Sequence, residues 1–81
     1  VMADSPHQAV VIGLNQTKKA LLAGKVELLY LADNADERLV QPILLLAQES
    51  GIAFERVATM KKLGKRLGID VGAAVGAVLR S

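Results

Sequence analysis

The chain of 81 residues contains no cysteine and no tryptophan, and only one residue each of histidine, tyrosine and phenylalanine. Without cysteine, a disulfide framework, a thiol nucleophile and a cysteine-based metal site are all excluded. No apolar run approaches about 18 residues, so we expect no membrane span. No basic segment precedes an apolar core near the N-terminus, so we also expect no signal peptide. These absences fit a cytoplasmic protein.

The apolar content is nevertheless high for a short chain. Hydrophobic residues make up 52% of the sequence, which is enough for a packed core and argues against disorder. The length is typical of one domain, and no linker, internal repeat or low-complexity tract interrupts the chain. We therefore predict a single domain over residues 1–81.

The charges are segregated along the chain, although the net charge is only +2. Seven of the ten basic residues fall in two stretches, 18–25 and 61–66. Six of the eight acidic residues lie between them, from Glu27 to Glu55. If the two basic stretches meet in space, they form one positive face of the kind that suits nucleic acid. On charge alone, two ordinary solvated helix surfaces explain the pattern equally well.

Hydrophobic patterning predicts strands that alternate with helices. The predicted strands are residues 9–13, 26–32, 52–57 and 71–79. The predicted helices are residues 15–23, 39–49 and 61–67. Pro42 falls inside the second helical pattern, where it should kink the helix or mark its first turn. This order is typical of an α/β fold, with a largely parallel sheet covered on both faces. The crossovers are short, which leaves a mixed sheet open.

The sequence offers little to a catalyst. Its only histidine, His7, lies near the N-terminus, where a surface position is the ordinary explanation. Ser5, Ser50 and Ser81 have no visible base partner. We therefore expect no enzyme, no catalytic residue and no cofactor.

Two further patterns resemble ligand sites only superficially. Asp33, Asp36 and Glu37 match the spacing of no calcium loop and are more typical of a capped helix start. The glycine pair Gly64 and Gly68 lies in a helical stretch and lacks the lysine and hydroxyl residue of a phosphate loop. We expect no metal site, and we expect the glycines of the last segment to allow close packing or a tight turn.

The segment GLNQTKK, residues 13–19, is the strongest candidate site. It follows a predicted buried strand, and ligands gather where such strands end and helices begin. Asn15 and Gln16 carry hydrogen-bond donors and acceptors, and Lys19 lies about one helical turn further on the same face. The amides could read base edges and the lysine a phosphate or a guanine oxygen. Alternatively, Asn15 merely caps the helix and the lysines stay in water.

Three separated segments resemble one known family. They are GLNQTKKAL, VQPILLLAQESG and VATMKKLGKRLGIDVGAAV, which stand in the same order in the family. The sequence is similar to the kink-turn RNA-binding ribosomal proteins of the L-seven-Ae and L-thirty-e type, especially to the small bacterial YbxF-like branch. This resemblance covers residues 9–79. It implies a three-layer α-β-α sandwich with a mixed four-stranded sheet.

The resemblance also implies a set of site residues. Gly13, Asn15 and Lys19 match the family pattern Gly-x-Asn-Glu-x-x-Lys, whose side chains contact tandem sheared G·A pairs in a kinked RNA. Asp36 corresponds to an acid near the flipped-out nucleotide, and two loops approach the RNA backbone and the bases of the bulge. The full implied RNA-binding set is Gly13, Leu14, Asn15, Gln16, Lys18, Lys19, Asp36, Thr59, Met60, Lys61, Lys62, Ile69, Asp70, Val71, Gly72 and Ala73.

Two departures from the family pattern matter. Gln16 stands where the pattern has glutamate, so it accepts hydrogen bonds without the charge that strengthens them; the bacterial branch also has glutamine there. The N-terminal helix of longer members is reduced to a few residues around 4–8.

The resemblance implies a monomer that recognises and stabilises kink-turn RNA. Ribosomal RNA, a riboswitch and other kink-turns are all open as targets, and so is the ribosome as a partner. The alternative is a protein–protein or structural module on the same fold that has lost specific RNA binding.

Overall fold

A computed structural model describes residues 9–80. The reduced helix expected around residues 4–8 lies outside the described residues. The strands are β1 (Val10–Ile12), β2 (Val26–Ala32), β3 (Ala53–Val57) and β4 (Val75–Leu79). The helices are α1 (Leu14–Leu22), α2 (Glu37–Glu49) and α3 (Met60–Arg66). Within residues 9–80, no helix has both the length and the apolar character needed to cross a membrane.

The sheet is mixed and has the strand order β1-β4-β2-β3. β4 is antiparallel to both of its neighbours, β1 and β2, whereas β2 and β3 are parallel. The strands β1, β2 and β3 therefore end at the same end of the sheet, where β4 begins. We call this the carboxyl end of the sheet.

The two faces of the sheet carry separate clusters of buried side chains. One cluster joins α1 and α2 to the sheet, with Leu29 and Leu31 of β2 fully buried in it. The other joins α3 to the opposite face through Leu63 and Leu67. The alternation of side chains along β2 explains this division, because odd and even residues of a strand point to opposite faces. The predicted α/β fold with three layers and a mixed sheet is confirmed.

Val26 breaks the alternation along β2 for a visible reason. A register shift lies between Val26 and Leu28, so that a two-residue step along β2 matches a one-residue step along β4. Such a bulge changes which face the next side chain points to. Val26 is consequently buried in the same cluster as Leu29 and Leu31.

The second helix begins earlier than predicted, at Glu37 instead of residue 39. Asp36 is its N-cap, and the Asp36 carboxylate accepts a hydrogen bond from the backbone N–H of Arg38 at 2.9 Å. Pro42 therefore lies inside the helix, past its first turn. Proline has no N–H to donate to the carbonyl four residues earlier, which here belongs to Arg38.

The prediction of a strand from residue 71 to residue 79 was wrong in its first half. β4 begins only at Val75, and residues 71–74 form a loop. In that loop, the N–H of Ala73 donates to the carbonyl of Met60 in α3 at 3.0 Å. β2 has the predicted bounds, and the bounds of β1, α1, β3 and α3 differ from the predicted ones by one residue at one or both ends.

Candidate nucleic-acid interface

Four segments that contain the predicted site residues meet at the carboxyl end of the sheet. The start of α1 follows β1, residues 33–36 follow β2, residues 58–62 follow β3, and residues 69–74 lead into β4. Backbone hydrogen bonds join three pairs of these elements: Gly13 N–H to Val75 O at 3.0 Å, Ala32 N–H to Ala74 O at 2.9 Å, and Asp33 N–H to Val57 O at 2.8 Å. The topology thus gathers residues that are up to 60 positions apart in the sequence into one region.

The start of α1 has no side-chain cap. Gly13 is the N-cap residue, with φ 101° and ψ 160°, and no side chain of residues 9–80 accepts a hydrogen bond from the free N–H groups of the first turn. The interpretation of Asn15 as the cap was therefore wrong, because Asn15 is the second residue of the helix. Among residues 9–80, the exposed side chains of Asn15 and Gln16 have no hydrogen-bond partner.

The exposed face of α1 is polar from Asn15 to Lys19 and ends in the exposed Leu22, whereas the opposite face is buried. Asn15, Gln16, Lys18 and Lys19 are exposed, whereas Thr17 is fully buried. Asn15 and Lys19 are four residues apart and share one face of the helix. A ligand at the start of α1 would meet two neutral amides, unpaired backbone N–H groups and, one turn further on, a cation.

The arginines and lysines of the described region differ in their partners. Arg38, Arg56 and Arg66 form ion pairs with Asp36, Asp33 and Glu55, at 3.3, 3.2 and 2.6 Å respectively. The predicted site lysines are exposed and form no ion pair with any of residues 9–80; they are Lys18, Lys19, Lys61 and Lys62. Among the predicted site residues, the positive charge that is left for an external anion is therefore carried by these lysines.

The two basic stretches do not merge along their whole length. α1 and α3 lie on opposite faces of the sheet, and both begin at its carboxyl end. Lys61 and Lys62 lie in the first turn of α3, at that end. Lys25 follows α1 and precedes β2, so it lies at the other end. The hypothesis of one positive face therefore excludes Lys25 and stays a prediction for Lys18, Lys19, Lys61 and Lys62.

The start of α3 is capped by its own N-cap residue and joined to the turn that follows β2. The Thr59 hydroxyl accepts from the backbone N–H of Lys62 at 3.1 Å and caps the helix. The N–H of Met60 donates to Oδ1 of Asn34 at 2.7 Å. Sequence reasoning missed Asn34; its only signal was its place in the polar turn that follows β2.

The loop that precedes β4 and the first residue of α3 present apolar side chains beside these polar groups. Val71 is 68% exposed and Met60 is 37% exposed. Asp70 and Gly72 are also exposed and Ile69 is half-buried. Two members of the predicted set face inward instead, because the Ala73 side chain is buried and Leu14 packs against the core.

Asp36 has a structural task that the resemblance did not imply. Its carboxylate caps α2 and also accepts hydrogen bonds from the Arg38 guanidinium at 3.3 and 3.4 Å. Its place near a flipped-out nucleotide stays a prediction. Among residues 9–80, no three acidic or histidine side chains are grouped so that they could hold a metal ion.

Fold and interface together define a class: a small α-β-α sandwich with a lysine-rich, polar and apolar surface at the carboxyl end of its sheet. The chain belongs to the Ribosomal protein L7Ae/L30e/S12e/Gadd45 family, whose model matches residues 2–81. The resemblance to that family is thereby confirmed.

The similarity to individual bacterial proteins supports the expected YbxF-like branch of the family. The chain is 44% identical over 75 residues to a Bacillus pumilus protein named RNA-binding protein, covering 93% of this chain and 92% of the relative. It is 39% identical over 71 residues to RNA-binding protein YbxF of Geobacillus stearothermophilus, covering 88% and 87%. The structure of a Giardia lamblia 15.5kD RNA binding protein has the same fold, with a TM-score of 0.82 over 90% of this chain and 62% of that chain, at 24% identity.

Proposed function

We propose that this protein binds RNA with the carboxyl end of its sheet and that it recognises kink-turns through their tandem sheared G·A pairs. The observation that carries the proposal is the start of α1. There, Asn15 and Gln16 are exposed, neither caps the helix, and neither has a partner among residues 9–80. The names of the relatives, which are RNA-binding proteins, support the same class of ligand.

The chemistry at α1 suits the edges of nucleotide bases. An amide side chain carries both donors and an acceptor, so Asn15 and Gln16 can bond to the exposed edges of G·A pairs. The unpaired N–H groups and the helix dipole favour an anion at the same place. Lys19, on the same face, adds a positive charge for a phosphate or a guanine oxygen.

Gln16 distinguishes this interface from one with the family's glutamate. A neutral amide oxygen accepts a weaker hydrogen bond from a guanine N–H than a carboxylate does. The neutral side chain also avoids repulsion from nearby phosphates. At high salt, phosphate repulsion is screened. Under that condition we expect the Gln16→Glu variant to bind kink-turn RNA more tightly than the unmodified protein does.

The remaining segments supply affinity around this centre. Lys61 and Lys62 at the start of α3 can neutralise phosphates, and the apolar side chains of Met60 and Val71 can pack against unstacked bases. About three or four lysine–phosphate contacts would make the logarithm of the binding constant fall with the logarithm of the salt concentration, with a slope of roughly −3.

Binding of this kind needs no covalent step. A free kink-turn is a minor conformer, and a protein that binds only the kinked form shifts the population toward it. We propose that the protein acts in this way as a monomeric single domain in the cytoplasm, without cofactor or metal. Ribosomal RNA within the ribosome and riboswitches are candidate targets of the same chemistry.

The test is a titration of the protein against a kink-turn RNA at fixed salt. The control RNA has its sheared G·A pairs replaced by Watson–Crick pairs and is otherwise identical. We expect tight binding to the first and only weak, salt-sensitive binding to the second. Equal weak binding to both would overturn the proposal and favour a protein-binding module on the same fold.

A further inference from the structure

A tight turn after β2 presents one side chain to the start of α3. The turn spans residues 32–35 and is closed by a hydrogen bond from Ala35 N–H to Ala32 O at 3.2 Å. Asn34 is its third residue, a position that asparagine favours in turns. Its Oδ1 accepts from the backbone N–H of Met60 at 2.7 Å.

Met60 in turn contacts the loop that precedes β4. Its carbonyl accepts from the N–H of Ala73 at 3.0 Å. The backbone of Gly72 lies so close that a Cβ built there would stand 3.3 Å from Cβ of Met60. The peptide groups of Met60 therefore link three segments: the turn after β2, the first turn of α3, and residues 69–73.

We infer that Asn34 is a positioning residue of the RNA interface. Its side chain fixes the start of α3 and, through Met60, residues 69–73 relative to the turn after β2. The inference rests on the proposed function. The Met60 N–H is one of the first-turn groups that have no partner inside their own helix. Thr59 bonds the N–H of Lys62, so the side chain of Asn34 serves a donor that the helix cap does not.

The position of Asn34 separates this role from general stabilisation. Asn34 is exposed and belongs to neither buried cluster. Its loss leaves the apolar core of both faces intact, so the fold persists. What changes is the freedom of Met60, Lys61 and the loop beside them, which become less preorganised for a shaped ligand.

The experiment compares Asn34→Ala with Asn34→Asp in the full chain. Aspartate keeps an acceptor oxygen at the same reach, whereas alanine removes it. For each variant we would measure the Kd for the kink-turn RNA and for its Watson–Crick control, and the hydrogen-exchange rates of the Met60 and Ala73 amides without RNA. Ala47→Gly, in the buried face of α2 near its end, serves as a destabilised control away from the interface.

For Asn34→Ala we expect about fivefold weaker binding to the kink-turn RNA, the size of effect that a lost helix-cap bond produces. Binding to the control RNA should change less than about twofold, since the lysines remain. Both amides should exchange faster in Asn34→Ala. In Asn34→Asp, the exchange protection of the Met60 and Ala73 amides should return toward that of the unmodified protein. The Kd for the control RNA divided by the Kd for the kink-turn RNA should return in the same way.

Two results would overturn the inference. Unchanged exchange together with weaker kink-turn binding would mean that Asn34 touches RNA directly. The second result concerns discrimination, which is the Kd for the control RNA divided by the Kd for the kink-turn RNA. If this ratio falls as much in Ala47→Gly as in Asn34→Ala, Asn34 contributes only to stability. If the unmodified protein does not distinguish the two RNAs, the proposed function itself fails, and amide exchange alone then tests whether Asn34 holds the two segments.

Discussion

All three helices begin at the carboxyl end of the sheet, but they begin differently. α2 is capped by the Asp36 carboxylate and α3 by the Thr59 hydroxyl. α1 follows Gly13 and has neither a side-chain cap nor an acidic residue in its first turn. Since free N–H groups at a helix start attract anions, the uncapped start of α1 is better suited to an anion than the starts of α2 and α3, where side chains accept from first-turn N–H groups.

The surroundings of these starts differ as well. A Cβ built on Gly13 would meet no atom of the described residues 9–80 within 4 Å, so these residues leave the entry to α1 open. A Cβ built on Gly64 in α3 would overlap the carbonyl oxygen of Val71 and lie 3.3 Å from Cα of Gly72. The first region offers space for contact with RNA, and the second is packed so that it keeps a loop in place.

The packed region should be the more sensitive to an added methyl group. For Gly64→Ala we expect a loss of about 3 kcal/mol in the free energy of unfolding, the upper end for overpacking, because the obstructing atoms are backbone. Urea denaturation measures it. Gly68→Ala is the matched control. Gly68 has φ +85°, and a Cβ built on it would meet no atom of residues 9–80 within 4 Å. The added methyl group there should therefore cost only the left-handed backbone strain, about 1 kcal/mol. A Gly64→Ala loss no larger than that of Gly68→Ala would contradict close packing.

The open entry to α1 should be sensitive to backbone conformation instead. Gly13 has φ 101° and ψ 160°, a region that is essentially restricted to glycine. We expect Gly13→Ala to lower the free energy of unfolding by about 2 kcal/mol. Gly24→Ala, at φ +70°, should cost about 1 kcal/mol. Equal losses in thermal or urea unfolding would mean that the α1 entry is not specially constrained.

A substitution at the buried Thr17 of α1 should raise the free energy of unfolding without changing the exposed residues of that helix. Oγ1 of Thr17 is fully buried and has no hydrogen-bond partner in the described range 9–80. Thr17→Val should therefore raise the free energy of unfolding by about 1 kcal/mol, the lower end of the cost of an unsatisfied buried group. Thr17→Ser keeps the hydroxyl and loses a methyl group, so it should destabilise. RNA affinity should stay unchanged in Thr17→Val; a stability loss there would show that the hydroxyl has a partner.

The difference between a cap and an exposed amide gives the smallest predicted effect. Asp36→Ala removes the cap of α2 and should cost about 0.5–1 kcal/mol, since the cap is exposed. Asn15→Ala should leave the free energy of unfolding nearly unchanged, because Asn15 caps nothing. Urea denaturation of the two variants side by side measures this, and a larger loss for Asn15→Ala would reverse the assignment of the two roles.

Much of the fold follows from the sequence, because each element has a clear hydrophobic period and glycines follow the helices. The start of β4 did not follow. Residues 71–79 form one run of small and apolar residues, and nothing local indicates that Gly72 and Ala73 pack on α3 instead of pairing with a strand. Their partner, Met60, becomes a neighbour only through the tertiary fold.

The interface was predictable in its segments but not in its internal bonds. Asparagine favours the cap position, yet the peptide of Gly13 takes that place because it also bonds to Val75 of β4. The bond from Met60 to Asn34 depends on the parallel pairing of β2 with β3, a contact between distant segments that no local pattern specifies.

In the proposed function, the start of α1 reads RNA structure while the lysines of α3 supply general affinity. The most direct test measures the Kd of Asn15→Ala and of Lys62→Ala for the kink-turn RNA and for its Watson–Crick control. We expect Asn15→Ala to weaken kink-turn binding about tenfold and control binding less than twofold, as for a lost base contact. Lys62→Ala should weaken both RNAs alike. Equal losses on both RNAs in Asn15→Ala would contradict the account.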